Sequence, residues 1–132
     1  MSAMNVEQAR LNMIEYQIRP WEVLDQEVLD LLYAVKREDF VPPAYRMLAF
    51  SDLEIPLGQG ERMWQPKLEA RVLQELTLKP TDQVLEIGTG SGYFTALLAH
   101  RAQHVYSVEI HPELKASGAA SLRRAGVANV TV

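Results

Sequence analysis

Apolar residues keep a helical spacing over the first third of the chain, lose it in the middle, and regain it around a short strand-like run. In residues 5–18, Val6, Ala9, Met13 and Ile14, with Tyr16 beside them, recur three or four apart, which predicts a surface helix ending before Arg19-Pro20. A second helix is expected over residues 25–36, with Asp25 as N-cap and Val28, Leu29, Leu31, Leu32 and Val35 forming one apolar face. Phe40-Val41-Pro42-Pro43 breaks the pattern, because proline fixes φ and pushes its predecessor toward extended conformations. Residues 44–49 have room for one short turn. Residues 50–65, with Pro56, Gly58 and Gly60, hold no sustained period and read as a structured loop. A loop of that length inside a domain is more often functional than idle.

Periodicity returns at Pro66, which suits a first helical turn, and runs through Leu68, Val72, Leu73 and Leu76 until Lys79-Pro80. Then the pattern changes. After Gln83 the run Val84-Leu85-Glu86-Ile87 breaks into Gly88-Thr89-Gly90-Ser91-Gly92, and Phe94, Leu97 and Leu98 follow at helical spacing. The order is strand, glycine turn, helix. Glycine permits the sharp turn at positive φ, and its missing side chain leaves the amides at the helix start open to a ligand. A second strand is expected over residues 105–110. A helix follows from Pro112, where Glu113 suits the positive end of the dipole, through Leu114 and Leu122 to a stop at Gly126. Gly118 within it weakens the helix by roughly 1 kcal/mol against alanine and points to close packing. Residues 129–132 begin a third strand.

Composition narrows the class. The chain has 132 residues, enough for one domain, and its 48% hydrophobic and 23% charged content is that of a soluble globular protein. A net charge of −4 gives no attraction to nucleic acid or anionic membrane. With no cysteine, neither disulfides nor thiolate metal sites can form. No apolar run spans a bilayer and the polar N-terminus lacks a signal peptide's hydrophobic stretch, so the cytoplasm is the expected compartment.

The glycine spacing selects a ligand type. A dinucleotide fingerprint requires a third glycine at position 93, where this chain has Tyr93, which argues against a nicotinamide-cofactor dehydrogenase. Instead Glu86 stands two residues before Gly88, Gly90 and Gly92. A second acid, Glu109, ends the next strand about 20 residues past the first glycine, where a carboxylate commonly grips a ribose diol. These residues favour a nucleoside over a pyrophosphate.

The acid-x-G-x-G-x-G loop followed by Glu109 resembles motif I and its successor in class I S-adenosylmethionine-dependent methyltransferases. More narrowly, VLEIGTGSGY, the upstream REDFVPPAYR and IPLGQGERMWQP resemble the protein-L-isoaspartate O-methyltransferases, with similarity running from about Ala9 to the last residue. The resemblance implies an α/β fold: a Rossmann-like class I methyltransferase sheet with an N-terminal helical lobe, truncated after the third strand. Within one domain, residues 1–65 would form the lobe and active-site loop, and residues 66–132 the first half of the cofactor-binding unit. It implies S-adenosyl-L-methionine as cofactor, held by Glu86 near its ammonium, by Gly88, Thr89, Gly90, Ser91 and Gly92 along its methionine part, by Glu109 on the ribose and by Ile110 against the adenine. It further implies isoaspartyl-containing proteins or peptides as substrate, whose carboxylate is methylated in protein repair.

One loop departs from the family pattern. Aligned on Gln65-Pro66, Arg62 and Trp64 stand where the family carries threonine and serine, so no catalytic residue is assigned. Arg62 suits bidentate binding of a carboxylate acceptor, whereas Trp64 suits a reshaped pocket for a different acceptor, or a cofactor-binding protein without catalysis. The substrate-facing loop is thus Arg62, Trp64 and Gln65.

Other candidates carry less. His100 and His104 are four apart, but without a carboxylate or cysteine in register they read as helix-end side chains, and no metal is expected. His111 leads into the next helix. Trp21, Tyr33, Phe40 and Tyr45 read as core or lobe packing. A doubly wound sheet would place strand 1 in the middle, yet no fourth strand follows, so its edge is expected to be bare. This predicts either the N-terminal piece of a longer protein or self-association through that edge.

Overall fold

The computed structural model describes residues 5–132. Residues 1–4, the start of the polar N-terminus read above, lie outside them.

The N-terminal lobe is helical. Asn5 caps α1 (Val6–Met13) through its side chain, and Asp25 caps α2 (Gln26–Ala34) by accepting from the amides of Glu27 and Val28. The first helix is shorter and less exposed than its sequence predicts. It passes into a π-helical turn at Ile14–Ile18 and a 3-10 turn at Arg19–Trp21, and this shift of register buries Met13, Ile14 and Ile18 together. The proline segment forms the expected short turn, a 3-10 helix over Pro43–Leu48.

The middle segment differs from the expected loop. It contains an antiparallel hairpin, β1 (Ile55–Gly58) and β2 (Glu61–Met63), pairing Ile55 with Met63 and Pro56 with Arg62. Gly58, Gln59 and Gly60 all have positive φ, which closes the turn in the hand that suits twisted strands. Strands of three and four residues are too short to show a period. The helix α3 (Pro66–Leu76) then starts at the proline and stops at Thr77, in the left-handed region, before the expected Lys79-Pro80.

The second half is a βαβαβ unit: β3 (Gln83–Ile87), α4 (Tyr93–Arg101), β4 (His104–Val108), α5 (Pro112–Arg124) and β5 (Val130–Thr131). The three strands are parallel in the order β3-β4-β5, with Gln83 opposite His104 and Ile87 opposite Val108. β4 ends at Val108, which places Glu109 and Ile110 just past the strand rather than within it. The α/β class and the helical lobe agree with the sequence reading. β3 is an outer strand, as expected, but its exposure is chiefly facial. Leu85 and Ile87, with Tyr106 and Val108 of β4, share the open face, while Val105 and Ser107 are buried on the other.

Two arginines are fully buried, one holding the lobe together and one joining it to the second half. Arg10 of α1 donates to both carboxylate oxygens of Glu38, at 2.9 and 2.7 Å. Arg37 reaches further: it donates to the carbonyls of Ala49 at 2.7 Å and Trp64 at 3.1 Å, pairs with Glu69 of α3, and lies over the Tyr93 ring at 5.0 Å. An arginine that satisfies two carbonyls, a carboxylate and an aromatic face fixes four segments at once. Among the described residues no helix is long and apolar enough to cross a membrane.

Candidate functional site

The glycine loop is shaped by close contact with α5. Gly88, Gly90 and Gly92 all have positive φ, and Gly92 caps α4. A Cβ on Gly92 would stand 3.1 Å from the Gly118 carbonyl oxygen, and one on Gly118 would stand 3.1 Å from the Gly90 oxygen and from Thr89 Cγ2. Gly118 therefore lets the loop rest on the helix, at the cost in propensity noted above. Around Gly88, by contrast, there is open space.

That space is a cavity of about 700 Å³. The glycine loop and Glu86 form one wall, Glu109 and Ile110 a second, and Arg62, Trp64 and Glu69 a third. The structure thus gathers Glu86, Gly88, Thr89, Gly90, Ser91, Glu109, Ile110, Arg62 and Trp64 around one volume. Two expected residues lie elsewhere. Gly92 is buried as the cap of α4, and Gln65 is the residue before α3 and does not reach the cavity wall. Gly92 shapes the loop rather than lining it.

Glu109 is held by backbone. Its Oε1 accepts from the Gly90 amide at 2.8 Å and its Oε2 from the His111 amide at 3.2 Å. Each oxygen keeps a further lone pair for a ligand hydroxyl. Glu86 is half-buried on β3, and burial pushes its carboxyl up while hydroxyl donors from Ser107 and Thr95 oppose that shift and the Glu109 charge adds to it. Open space at Gly88, amides at a helix start and two carboxylates 23 residues apart in sequence but facing one volume suit a nucleoside with a cationic tail. The third wall mixes aromatic and charged groups: Trp64, 43% exposed, leans on Phe94 of α4 with ring centroids 5.7 Å apart, beside Arg62, Glu61 and Glu69.

His100 lies in the last turn of α4 as read, whereas His104 opens β4 instead of ending the helix. His100 Nδ1 donates to the Ala96 carbonyl, His104 Nε2 meets the Thr131 hydroxyl at 2.8 Å, and His111 precedes α5. Among the described residues no three side chains are grouped to hold a metal ion. Phe40 packs on Tyr93 as expected, whereas Trp21 is 44% exposed with Lys67 Nζ over its ring, a surface contact rather than core.

Sequence reasoning missed Arg37, Glu69, Thr95 and Ser107. Arg37, just past a helix, and Glu69, within one, look like surface charges, and nothing local marks them as buried. Thr95 and Ser107 interrupt apolar patterns only as single hydroxyls. Burial pushes the Glu69 carboxyl up to about 7, against the opposing pull of Arg37.

The chain is similar to known proteins over nearly all of its length. Residues 8–132 match the family model for protein-L-isoaspartate(D-aspartate) O-methyltransferase. The chain is 41% identical over 124 residues to protein-L-isoaspartate O-methyltransferase 2 of Anaeromyxobacter sp. (strain Fw109-5), covering 94% of this chain and 51% of that protein. It therefore spans about half the length of that relative. Its fold is similar to a Plasmodium falciparum protein described as a protein-L-isoaspartate O-methyltransferase in complex with S-adenosyl-L-homocysteine, with a TM-score of 0.75 at 19% identity, covering 97% of this chain and 62% of that one. A second protein-L-isoaspartate O-methyltransferase structure superposes with a TM-score of 0.69 at 24% identity, covering 94% and 40% of the two chains. With a matching family model over nearly all of its length, this chain belongs to the protein-L-isoaspartate O-methyltransferase family.

Proposed function

We propose that this chain carries the cofactor site and acceptor loop of an S-adenosylmethionine-dependent O-methyltransferase acting on the carboxylate of L-isoaspartyl residues in damaged proteins. The observation that carries the reading is that the Arg62–Trp64 wall and the glycine loop line one cavity, so that acceptor and methyl donor can meet. The cofactor supplies an electrophilic methyl on a sulfonium. The residues that would hold it are Glu86 at the ammonium, residues 88–92 along the methionine part, Glu109 at the ribose and Ile110 at the adenine. An acceptor that is already a carboxylate needs no base, so the chain's task is alignment and water exclusion. Arg62 is the group suited to hold that carboxylate in line.

The test is calorimetric titration with S-adenosylhomocysteine, with NAD as control. Saturable binding of the adenosyl compound alone is expected. Glu109→Ala should weaken it roughly tenfold to a hundredfold, because hydrogen bonds to a charged group contribute about 1.5–3 kcal/mol. Tighter binding of NAD would sink the reading.

Trp64 favours a second reading, in which the acceptor differs or catalysis is absent. Its ring, tilted at 59° against Phe94, is far larger than the serine that the resemblance places there. The backbone there is held by Arg37 through the Trp64 carbonyl, so side chains can be exchanged without moving the loop. Arg62→Thr with Trp64→Ser, assayed for methyl transfer, decides between them. A gain of tenfold or more on an isoaspartyl peptide would mean that the natural loop serves another acceptor; a loss would support the carboxylate role of Arg62.

A further inference from the structure

Two buried hydroxyls from different elements reach Glu86, and a third stands behind one of them. Thr95 of α4 donates to Glu86 Oε1, and Ser107 of β4 donates to the same oxygen at 2.6 Å. Thr89 of the glycine loop lies 2.6 Å from Ser107 Oγ. Since the single Ser107 proton is committed to Glu86, the Thr89 hydroxyl must donate to Ser107, and the chain runs Thr89 to Ser107 to Glu86. Thr95, Ser107 and Thr89 are 0%, 1% and 4% exposed.

Packing alone does not account for this arrangement. A buried threonine in a helix commonly returns its hydroxyl to its own turn, whereas Thr95 spends it on another element. Both donors also choose one oxygen. Among the described residues Glu86 Oε2 accepts no hydrogen bond, and Glu86 lines the cavity. A carboxylate pinned at one oxygen by two neutral donors has its charge and its direction set, and the second oxygen is left for a ligand.

We propose that Thr95 and Ser107, with Thr89 behind them, are positioning residues that fix Glu86 so that its free oxygen receives the ammonium of the methyl donor. This rests on the cofactor reading above. The other ionisable groups on the same cavity are Glu109 after β4, Glu61 and Arg62 of β2, and Glu69 of α3, which is paired with Arg37. Of these Glu109 acts on Glu86 directly, by like charge, in the same sense as burial. The hydroxyls oppose both. Without them Glu86 takes up a proton at a higher pH and the ammonium loses its counter-charge.

Two ligands separate positioning from mere packing. S-adenosylhomocysteine carries the ammonium; 5′-methylthioadenosine shares the nucleoside and thioether but lacks it. In Thr95→Val, which keeps the shape of the side chain, and in Ser107→Ala, affinity for S-adenosylhomocysteine should fall about tenfold near neutral pH while affinity for methylthioadenosine stays within twofold. The loss should shrink as pH rises and Glu86 ionises again. Thr95→Ser, which restores a hydroxyl, should recover most of the affinity. An equal loss for both ligands at every pH would overturn the proposal and leave the cofactor reading standing. Failure of the unaltered chain to bind either compound would overturn both. Should the valine variant not fold, a carbon-13 titration of the Glu86 carboxyl in Ser107→Ala decides: an unmoved midpoint relative to the unaltered chain is the adverse result.

Discussion

Arg37→Ala is expected to lower the free energy of unfolding by about 3–5 kcal/mol, a large share of the total for a domain whose stability is of order 5–15 kcal/mol. The cost has named parts. The Ala49 and Trp64 carbonyls lose their donor inside the protein, Glu69 loses its only cationic partner among the contacts described, and the Tyr93 ring loses the guanidinium over its face. Chemical denaturation of the variant beside the unaltered chain measures it, and a loss under about 1 kcal/mol would refute the account. Glu69 adds a pH signature. Its carboxyl titrates near 7 in the folded chain against an ordinary 4.5, so the folded state binds more protons between those values. Stability from this group is therefore complete below about 4.5 and is lost as pH rises through 7. Glu69→Gln should flatten that slope.

The second large effect falls on the loop. Gly92→Val should lose about 2–4 kcal/mol of stability and at least tenfold in S-adenosylhomocysteine affinity. Its φ of +89° is strained for any side chain, and its Cβ would meet the Gly118 carbonyl oxygen at 3.1 Å and Leu122 Cγ at 3.3 Å. The carbonyl cannot retreat cheaply, because Gly118 itself rests against the Gly90 oxygen and Thr89. Relief must come from the loop, which then leaves the cavity wall. Gly126→Ala is the matched control: φ is also positive at +74°, yet open space surrounds the site, so only a backbone cost of about 1–2 kcal/mol and no change in ligand affinity are expected. Equal affinity in Gly92→Val and the unaltered chain would show that loop shape does not govern binding.

The hairpin shows how a readable segment became unreadable. Residues 50–65 carry their turn signal openly in Gly58-Gln59-Gly60, but with no sustained period around it the segment reads as a loop that also holds Pro56. Proline is tolerated there because the hairpin has only two strands, so an unpaired amide edge is available to it. The first helix was legible as a helix, yet not its π-turn at Ile14–Ile18, which exists to bring Met13, Ile14 and Ile18 to one core. Gln65 was placed in the acceptor loop by alignment alone. Its position before α3 turns it away from the cavity that Trp64 reaches.

What the sequence determined by itself is the local part of the site: the strand Gln83–Ile87, the glycine turn, the helix after it, and the two acids at Glu86 and Glu109, because each depends on contacts a few residues long or on a fixed period. The βαβ topology followed from the same pattern. What only the tertiary structure decided is which charged and hydroxyl side chains pair in the interior, within the lobe, within the βαβ unit and, through Arg37 and Glu69, between them. Arg10 with Glu38 is 28 residues apart, Arg37 with Glu69 is 32, and Thr89 with Ser107 is 18. Burial of a charge or hydroxyl depends on what the rest of the chain places around it, and no local pattern distinguishes Arg37 from a solvated arginine. The physical reason is desolvation: a guanidinium is stable in the interior only when its partners arrive from several elements at once, and that coincidence exists only in the folded chain.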